Sequence, residues 1–303
     1  MKKILITGGN GLIGKKLCLS LAKKNFDVTS FDISEEDFDE KTIIKKYHGS
    51  ILNPFDLDRA IKNADLVIHL AAMVGVYLTE KKPLECLEIN IRGTKNVLDA
   101  AIKRNVKKII FSSSSEIYGD QEKIPINERA SLKPKSIYGV SKIVSEEYIK
   151  SYNKIYGLEF NICRFFNVIG PSQRDDFVTS KFASSIKSNK SLTINGDGAQ
   201  LRAYCHVDDA AEGIMKIINK GKKNEIYNVG NPNNLISVKD LALKMINISK
   251  KKIKVKHISF SKSDRSEERE IYKRQPNISK LIKHTGFKPA INLSKAVSEI
   301  LKN

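Results

Sequence analysis

The sequence predicts an α/β fold built on a doubly wound parallel sheet, and three observations predict it. Short apolar runs alternate with longer amphipathic ones through the first half of the chain. A glycine-rich turn, Thr7-Gly8-Gly9-Asn10-Gly11-Leu12-Ile13-Gly14, joins the first apolar run to the first amphipathic one. An acidic residue, Asp32, closes the second apolar run, near the ~20-residue offset at which such a fold places a ribose ligand.

The elements follow in order. Lys3–Thr7, Asp27–Phe31, Leu66–Leu70 and Lys108–Ser112 read as buried strands. Leu17 and Leu21, spaced i, i+4 after Gly14, mark the first helix. Ile89, Thr94, Val97, Leu98 and Ala101 form a second helical face that ends near Asn105. A long helix runs from about Ser136 to Tyr156, followed by a strand from Leu158 to Phe165. After Asn167 the texture changes. Gly170-Pro171, Asn195-Gly196-Asp197-Gly198 and Asn231-Pro232-Asn233-Asn234 are turn signals, with helices at Val207–Asn219 and Val238–Ile248 between them. Two lobes are therefore expected. Residues 1–170 form a dinucleotide-binding lobe. Residues 171–303 form a smaller, interleaved C-terminal substrate lobe, with Ile226–Val229 returning to the main sheet.

Composition narrows the class. The chain has 303 residues, 41% of them hydrophobic, with 17 Gly and 8 Pro, which excludes a disordered or collagen-like chain. No apolar run approaches the ~20 residues of a membrane span, and Thr7-Gly8-Gly9 interrupts any signal-like h-region after Met1-Lys2-Lys3. A cytoplasmic protein is expected. Cys18, Cys86, Cys163 and Cys205 are scattered without CxxC spacing, so neither a metal site nor a disulfide framework is expected. The net charge of +19 comes mostly from lysine doublets and from Lys250-Lys251-Lys252. No Arg-rich arm or aromatic-interleaved basic stretch accompanies it. The charge reads as a solvated lysine surface, not as a nucleic-acid footprint.

The glycine turn is chemically specific in its setting. Gly8, Gly11 and Gly14 permit a tight turn, close backbone approach to a pyrophosphate and close helix–strand packing. Leu12 and Ile13 open the helix whose free N–H groups face the phosphates. Asp32 would accept hydrogen bonds from the adenosine ribose, and no Arg or Lys adjoins it to take a 2′-phosphate, so NAD is favoured over NADP.

Tyr138 and Lys142 stand four apart, on one face of the long helix. An ammonium beside a phenol lowers its pKa, so Tyr138 is expected to act as a general base near neutral pH. Phe111-Ser112-Ser113-Ser114-Ser115-Glu116-Ile117-Tyr118-Gly119 brings hydroxyls to the carboxyl end of a strand, where such sheets bind ligands.

With these motifs in hand, the chain resembles the extended short-chain dehydrogenase/reductase family, in its nucleotide-sugar epimerase/dehydratase branch. The similarity runs through Thr7–Gly14, Asp32, His69-Leu70-Ala71-Ala72, Asn90-x-x-Gly93-Thr94, Ser112–Gly119 and Tyr138/Lys142. It continues through Arg164-Phe165-Phe166-Asn167 and Arg202-Ala203-Tyr204-Cys205-His206-Val207-Asp208-Asp209. The resemblance implies a Rossmann-type fold, NAD, a catalytic Ser114, Tyr138 and Lys142, and a cofactor pocket lined by Ala71, Ala72 and Asn90. It implies Asn167 and Arg202 at the nucleotide diphosphate, with Arg265 as a second diphosphate ligand. It implies a structural His69, a homodimer, and a role in glycan or polysaccharide precursor supply. Ser50 stands where the family often has Asp.

The branch opens by oxidising sugar C4 and then diverges. Epimerases return hydride to the other face, whereas dehydratases and decarboxylases exploit the 4-keto group. Glu116 is the discriminating residue. Ser115-Glu116 is similar to the Ser-Glu of GDP-mannose dehydratases and UDP-glucuronate decarboxylases, whereas simple 4-epimerases usually carry no acid there. The leading expectation is a UDP-sugar 4-epimerase resembling UDP-glucose 4-epimerase. A 4,6-dehydratase or UDP-glucuronate decarboxylase using Glu116 is the alternative. A non-catalytic dinucleotide binder or RNA-associated protein is the remote one.

Overall fold

A computed structural model describes residues 2–35, 44–262 and 267–302. Strands β1 (Lys3–Thr7), β2 (Asp27–Asp32), β3 (Lys45–His48), β4 (Leu66–His69), β5 (Lys108–Ser114) and β6 (Glu159–Phe165) form a parallel sheet with a seventh strand, Glu225–Val229. The order across it is Glu225–Val229, β6, β5, β4, β1, β2, β3. Every residue of β4 is buried, as a central strand covered on both faces requires. β3 is the opposite case. All four of its residues are exposed, so no apolar run marks it in the sequence.

The chain begins in the middle of the sheet, winds outward to β3, and crosses back to β4 on the other side of β1. The winding direction reverses between β1 and β4. Helices leave these strands toward opposite faces there, and a crevice opens beyond the carboxyl ends.

Helices α1 (Leu12–Ala22), α2 (Pro54–Ala60), α3 (Val76–Lys81), α4 (Pro83–Leu87), α5 (Gly93–Lys103) and α6 (Ile137–Tyr156) fill the crossovers. On one face, Leu57, Val97, Leu98 and Ile149 pack with Phe31, Ile109 and Phe160. On the other, Leu17 and Leu21 of α1 pack with Ile214 and Ile217 of the helix Val207–Lys220, and with Leu281 and Phe287.

The second lobe gathers the helices Val178–Lys187, Val238–Ser249 and Leu293–Lys302 around Phe182, Ile186, Leu192, Leu241, Met245 and Val297. Its Leu201–Ala203 strand lies between Leu235–Ser237 and Lys273–Arg274. The two lobes interleave. Val207–Lys220 and Glu225–Val229 pack into the first lobe, so no single cut near residue 170 separates them.

Candidate active site

The glycine turn takes its shape from close contacts. Gly8 has φ +72°, and a Cβ there would lie 2.7 Å from the Ala71 nitrogen. A Cβ on Gly14 would lie 2.0 Å from the Gly8 carbonyl oxygen, which is how closely α1 packs on the turn. Gly11 caps α1 with extended backbone and no side-chain bond, leaving the first N–H groups of the helix directed at the crevice. Asp32 is fixed at the end of β2: the Asn10 N–H donates to Oδ2 at 3.0 Å, and the Ser34 N–H donates to Oδ1 at 3.0 Å. His69 bonds Thr7 through Nδ1 at 2.7 Å and Thr94 through Nε2 at 3.1 Å. Burial holds its pKa down to about 3, so it is a neutral brace between β1, β4 and α5.

The opposite rim is made by β5 and α6. Strand β5 extends two residues beyond its apolar run, so that Ser114 is its last residue. The Ser114 hydroxyl accepts from the Glu116 N–H at 3.2 Å and starts the 3-10 turn Ser115–Tyr118. Helix α6 starts at Ser136, whose hydroxyl accepts from the Gly139 N–H at 3.1 Å, and stops at Gly157 with φ +73°. One turn apart on this helix, Tyr138 and Lys142 face the crevice; the Lys142 ammonium donates to the Ser112 carbonyl at 2.8 Å and lies 5.6 Å from the Tyr138 ring centroid.

Burial pulls the Lys142 ammonium down to about 7, with Cys86 and Glu146 acting against it. For Tyr138 the sequence expectation is reversed. Burial first, then Glu116, push the phenol above its ordinary range, and Ser114 draws it back only in part. Desolvation outweighs the one cation that draws the phenol down, Arg274.

A third wall comes from the second lobe. Asn167, at φ +37°, donates from Nδ2 to the Ala203 carbonyl at 3.3 Å. Arg202 and Arg274 are register partners on adjacent strands. Arg202 is ion-paired with Glu270 in a nearly closed setting, and Arg274 with Glu116. Burial, then the neighbouring Arg274, bring the Arg202 guanidinium down to about 10. Ser136 adds a hydroxyl to the second oxygen of Glu116 at 3.4 Å.

These walls enclose one cavity of about 1460 Å³. Gly8, Gly11, Leu12, Ile13, Gly14 and Asp32 line its first end, with Ala71 and Ala72 beside them. Ser114, Glu116, Tyr138 and Lys142 line its middle, and Asn167 and Arg202 its far wall.

Asn90 is not among the residues that line the cavity. It is buried behind the wall, where Oδ1 accepts from the Met73 N–H at 2.8 Å and Nδ2 donates to the Met73 carbonyl at 3.1 Å and to Ser141 at 3.0 Å. A π-helical turn, Glu88–Arg92, rotates it into this clamp, so it shapes the Leu70–Gly75 segment from behind. Arg265 lies outside the described residues. The sequence reading missed Arg274 and Glu270. Both belong to a stretch with no periodic or motif signal; strand pairing with Leu201–Ala203 brings Arg274 into the cavity, and the ion pair with Arg202 holds Glu270 there.

Residues 4–230 match the sequence model of the NAD dependent epimerase/dehydratase family. The chain belongs to that family. The UDP-N-acetyl-alpha-D-glucosaminuronate decarboxylase of Bacillus cytotoxicus is 31% identical over 99% of this chain and 97% of its own. The UDP-N-acetylglucosamine 4-epimerase of Methanobrevibacter ruminantium superimposes with a TM-score of 0.90 at 28% identity, covering 99% of this chain and 97% of that one. The UDP-glucuronic acid 4-epimerase of Bacillus cereus, solved with UDP-glucuronic acid and NAD, gives a TM-score of 0.90 at 28% identity over 99% and 98% of the two chains.

The protein is an NAD-dependent enzyme of this family, and its residues fit the cofactor. A pyrophosphate could approach the Gly8–Gly14 backbone, where glycines leave room and helix α1 offers free N–H groups, and Asp32 stands one strand over with a carboxylate that would accept from a ribose.

Proposed function

We propose that the protein is a UDP-sugar 4-epimerase acting by transient oxidation at sugar C4. The observation that carries this reading is the state of Glu116. Arg274 takes one of its oxygens and Ser136 the other, so proton abstraction by this carboxylate would first have to break a half-buried ion pair. The neighbouring position, where elimination of a C6 hydroxyl would need a general acid, is Ser115, whose side chain is fully buried and has no acidic proton to give.

The remaining groups suit reversible oxidation at C4. Ser114 orients the 4-hydroxyl by hydrogen bonding, and Tyr138 takes its proton. Lys142, its ammonium brought down near neutrality, stabilises the phenolate, and the Tyr138 phenol returns the same proton when the ketone is reduced. NAD, when bound, supplies the hydride acceptor and donor and adds a positive charge that favours the phenolate. Asn167 and Arg202 hold the diphosphate from the far wall, with Glu270 keeping Arg202 oriented.

The Glu116–Arg274 pair favours a second reading, a decarboxylase acting on a UDP-uronate. A guanidinium in the cleft matches a C6 carboxylate, and exchange of partners would release Glu116. Proton NMR with a panel of nucleotide sugars in heavy water separates the two. Inversion at C4 with the C5 proton retained establishes the epimerase. A pentose product with deuterium at C5 establishes the decarboxylase and overturns the first reading.

The same proposal includes a cytoplasmic homodimer. Leu84 of α4 and Ile155 and Tyr156 of α6 support it, being large apolar side chains more than half exposed. Sedimentation equilibrium tests it.

A further inference from the structure

We propose that Glu146 is a positioning residue for the Ser114, Tyr138 and Lys142 set, acting through the hydroxyl of Ser113. This inference rests on the reading of Tyr138 and Lys142 as the reactive pair, not on which nucleotide sugar is turned over.

Glu146 lies one helical turn beyond Lys142 on α6, as Lys142 lies one turn beyond Tyr138. Its side chain is 1% exposed. Arg164 of β6 grips both oxygens, Nε to Oε1 at 3.0 Å and Nη2 to Oε2 at 2.7 Å. The guanidinium is anchored in turn, donating from Nη1 to the Tyr118 hydroxyl at 2.9 Å and to the Glu128 carbonyl at 3.0 Å. The carboxylate so fixed accepts from the Ser113 hydroxyl at 2.6 Å.

Ser113 is the residue between the two that serve the site. The Ser112 carbonyl holds Lys142, and Ser114 faces Tyr138. The end of β5 is therefore tied to α6 at three successive levels, and Glu146 supplies the innermost tie. Side chains packed for stability alone would not need it. A buried ion pair gains little over apolar side chains of the same volume, because desolvating two charges offsets their attraction. What the pair does supply is a fixed point that a leucine could not, one that sets the register of strand against helix to within a hydrogen-bond length.

Glu146 also acts on the Lys142 ammonium in the direction that keeps it protonated. Cys86 of α4 acts in the same sense, His69 of β4 faces it from the sheet, and the Phe111 and Tyr138 rings complete its surroundings.

Two measurements test the proposal. The first is the titration of the Lys142 ammonium in the NAD-loaded protein, by NMR of carbon-13-labelled lysine, with Lys142→Met supplying the assignment. Glu146→Gln should raise the Lys142 acid dissociation constant about tenfold or more. The double variant Glu146→Gln/Arg164→Met, which leaves no charge unpaired, should do the same and covers the case in which the single variant does not fold. The second is steady-state kinetics of Ser113→Ala, which removes the tie and keeps the ion pair. Its kcat should fall about tenfold with KM within about twofold, the pattern of lost transition-state alignment. Wild-type kcat in Ser113→Ala, or a Lys142 titration unmoved in the folded charge variants, overturns the proposal. The titration needs no substrate, so it stands even if no UDP-sugar is turned over.

Discussion

Glu116 and Arg274 form an ion pair across the cleft, although 158 residues separate them in the chain. Glu116 sits on the 3-10 turn that follows β5 in the first lobe, and Arg274 on a two-residue strand of the second. The pair fastens the lobes together beside Tyr138 and occupies one oxygen of Glu116. If the protein is an epimerase, Glu116→Gln should keep kcat within about fivefold of wild type, since the residue then only orients. If Glu116 is a working base, the same substitution should cost about 10²–10⁴ in kcat. Steady-state rates on the UDP-sugar that NMR identifies check this.

Tyr138→Phe removes the phenol and keeps the ring that packs near Lys142. Turnover should fall by about 10²–10⁴. NAD should still copurify with the variant, because the residues proposed to hold its pyrophosphate and ribose, Gly8–Gly14 and Asp32, line the other end of the cavity. Quantifying nucleotide released on denaturation, alongside the rate, separates loss of chemistry from loss of cofactor.

Lys142 predicts a pH dependence of stability. Burial lowers its folded pKa from 10.5 to about 7. Between those values the unfolded chain holds a proton that the folded protein has released, so unfolding takes up a proton and stability rises with pH. Below about pH 7 both states are protonated and the dependence ends. Thermal melts of wild type and Lys142→Met between pH 6.5 and 9.5, on the order of the window the linkage sets, should therefore diverge. The wild type should gain stability relative to the variant as pH rises, and a parallel pair of curves would contradict the assignment.

Gly14 is held by sterics. A Cβ there meets the Gly8 carbonyl oxygen at 2.0 Å and Cα of Gly9 at 2.9 Å, all backbone that cannot swing aside. Gly14→Ala should cost about 1–3 kcal/mol of stability by overpacking and should weaken NAD binding, because relief requires moving α1 off the turn. A denaturant titration and a calorimetric NAD titration read the two effects separately.

The first lobe was the more legible half of the molecule. β1, β4 and the Ile109–Phe111 part of β5 announce themselves as apolar runs because parallel strands covered on both faces have no polar side to show. β3 gave no such signal, since an exposed edge strand of Lys45, Lys46, Tyr47 and His48 has no apolar face. The placement of the glycine turn, Asp32 and the Tyr138/Lys142 pair was readable for a related reason: each lies within one local element, where sequence distance and spatial distance agree.

The sequence by itself therefore determined the doubly wound sheet, the glycine turn at one end of the cleft and the helix face that carries Tyr138 and Lys142. Tertiary structure alone decided which charges meet there. It put Asn90 behind the wall, paired Arg202 with Glu270 and Arg274 with Glu116, and pushed the Tyr138 phenol up when the helix spacing pointed down. The physical reason is common to all of these. Burial and long-range pairing set electrostatics, and neither is a property of residues close together in the chain.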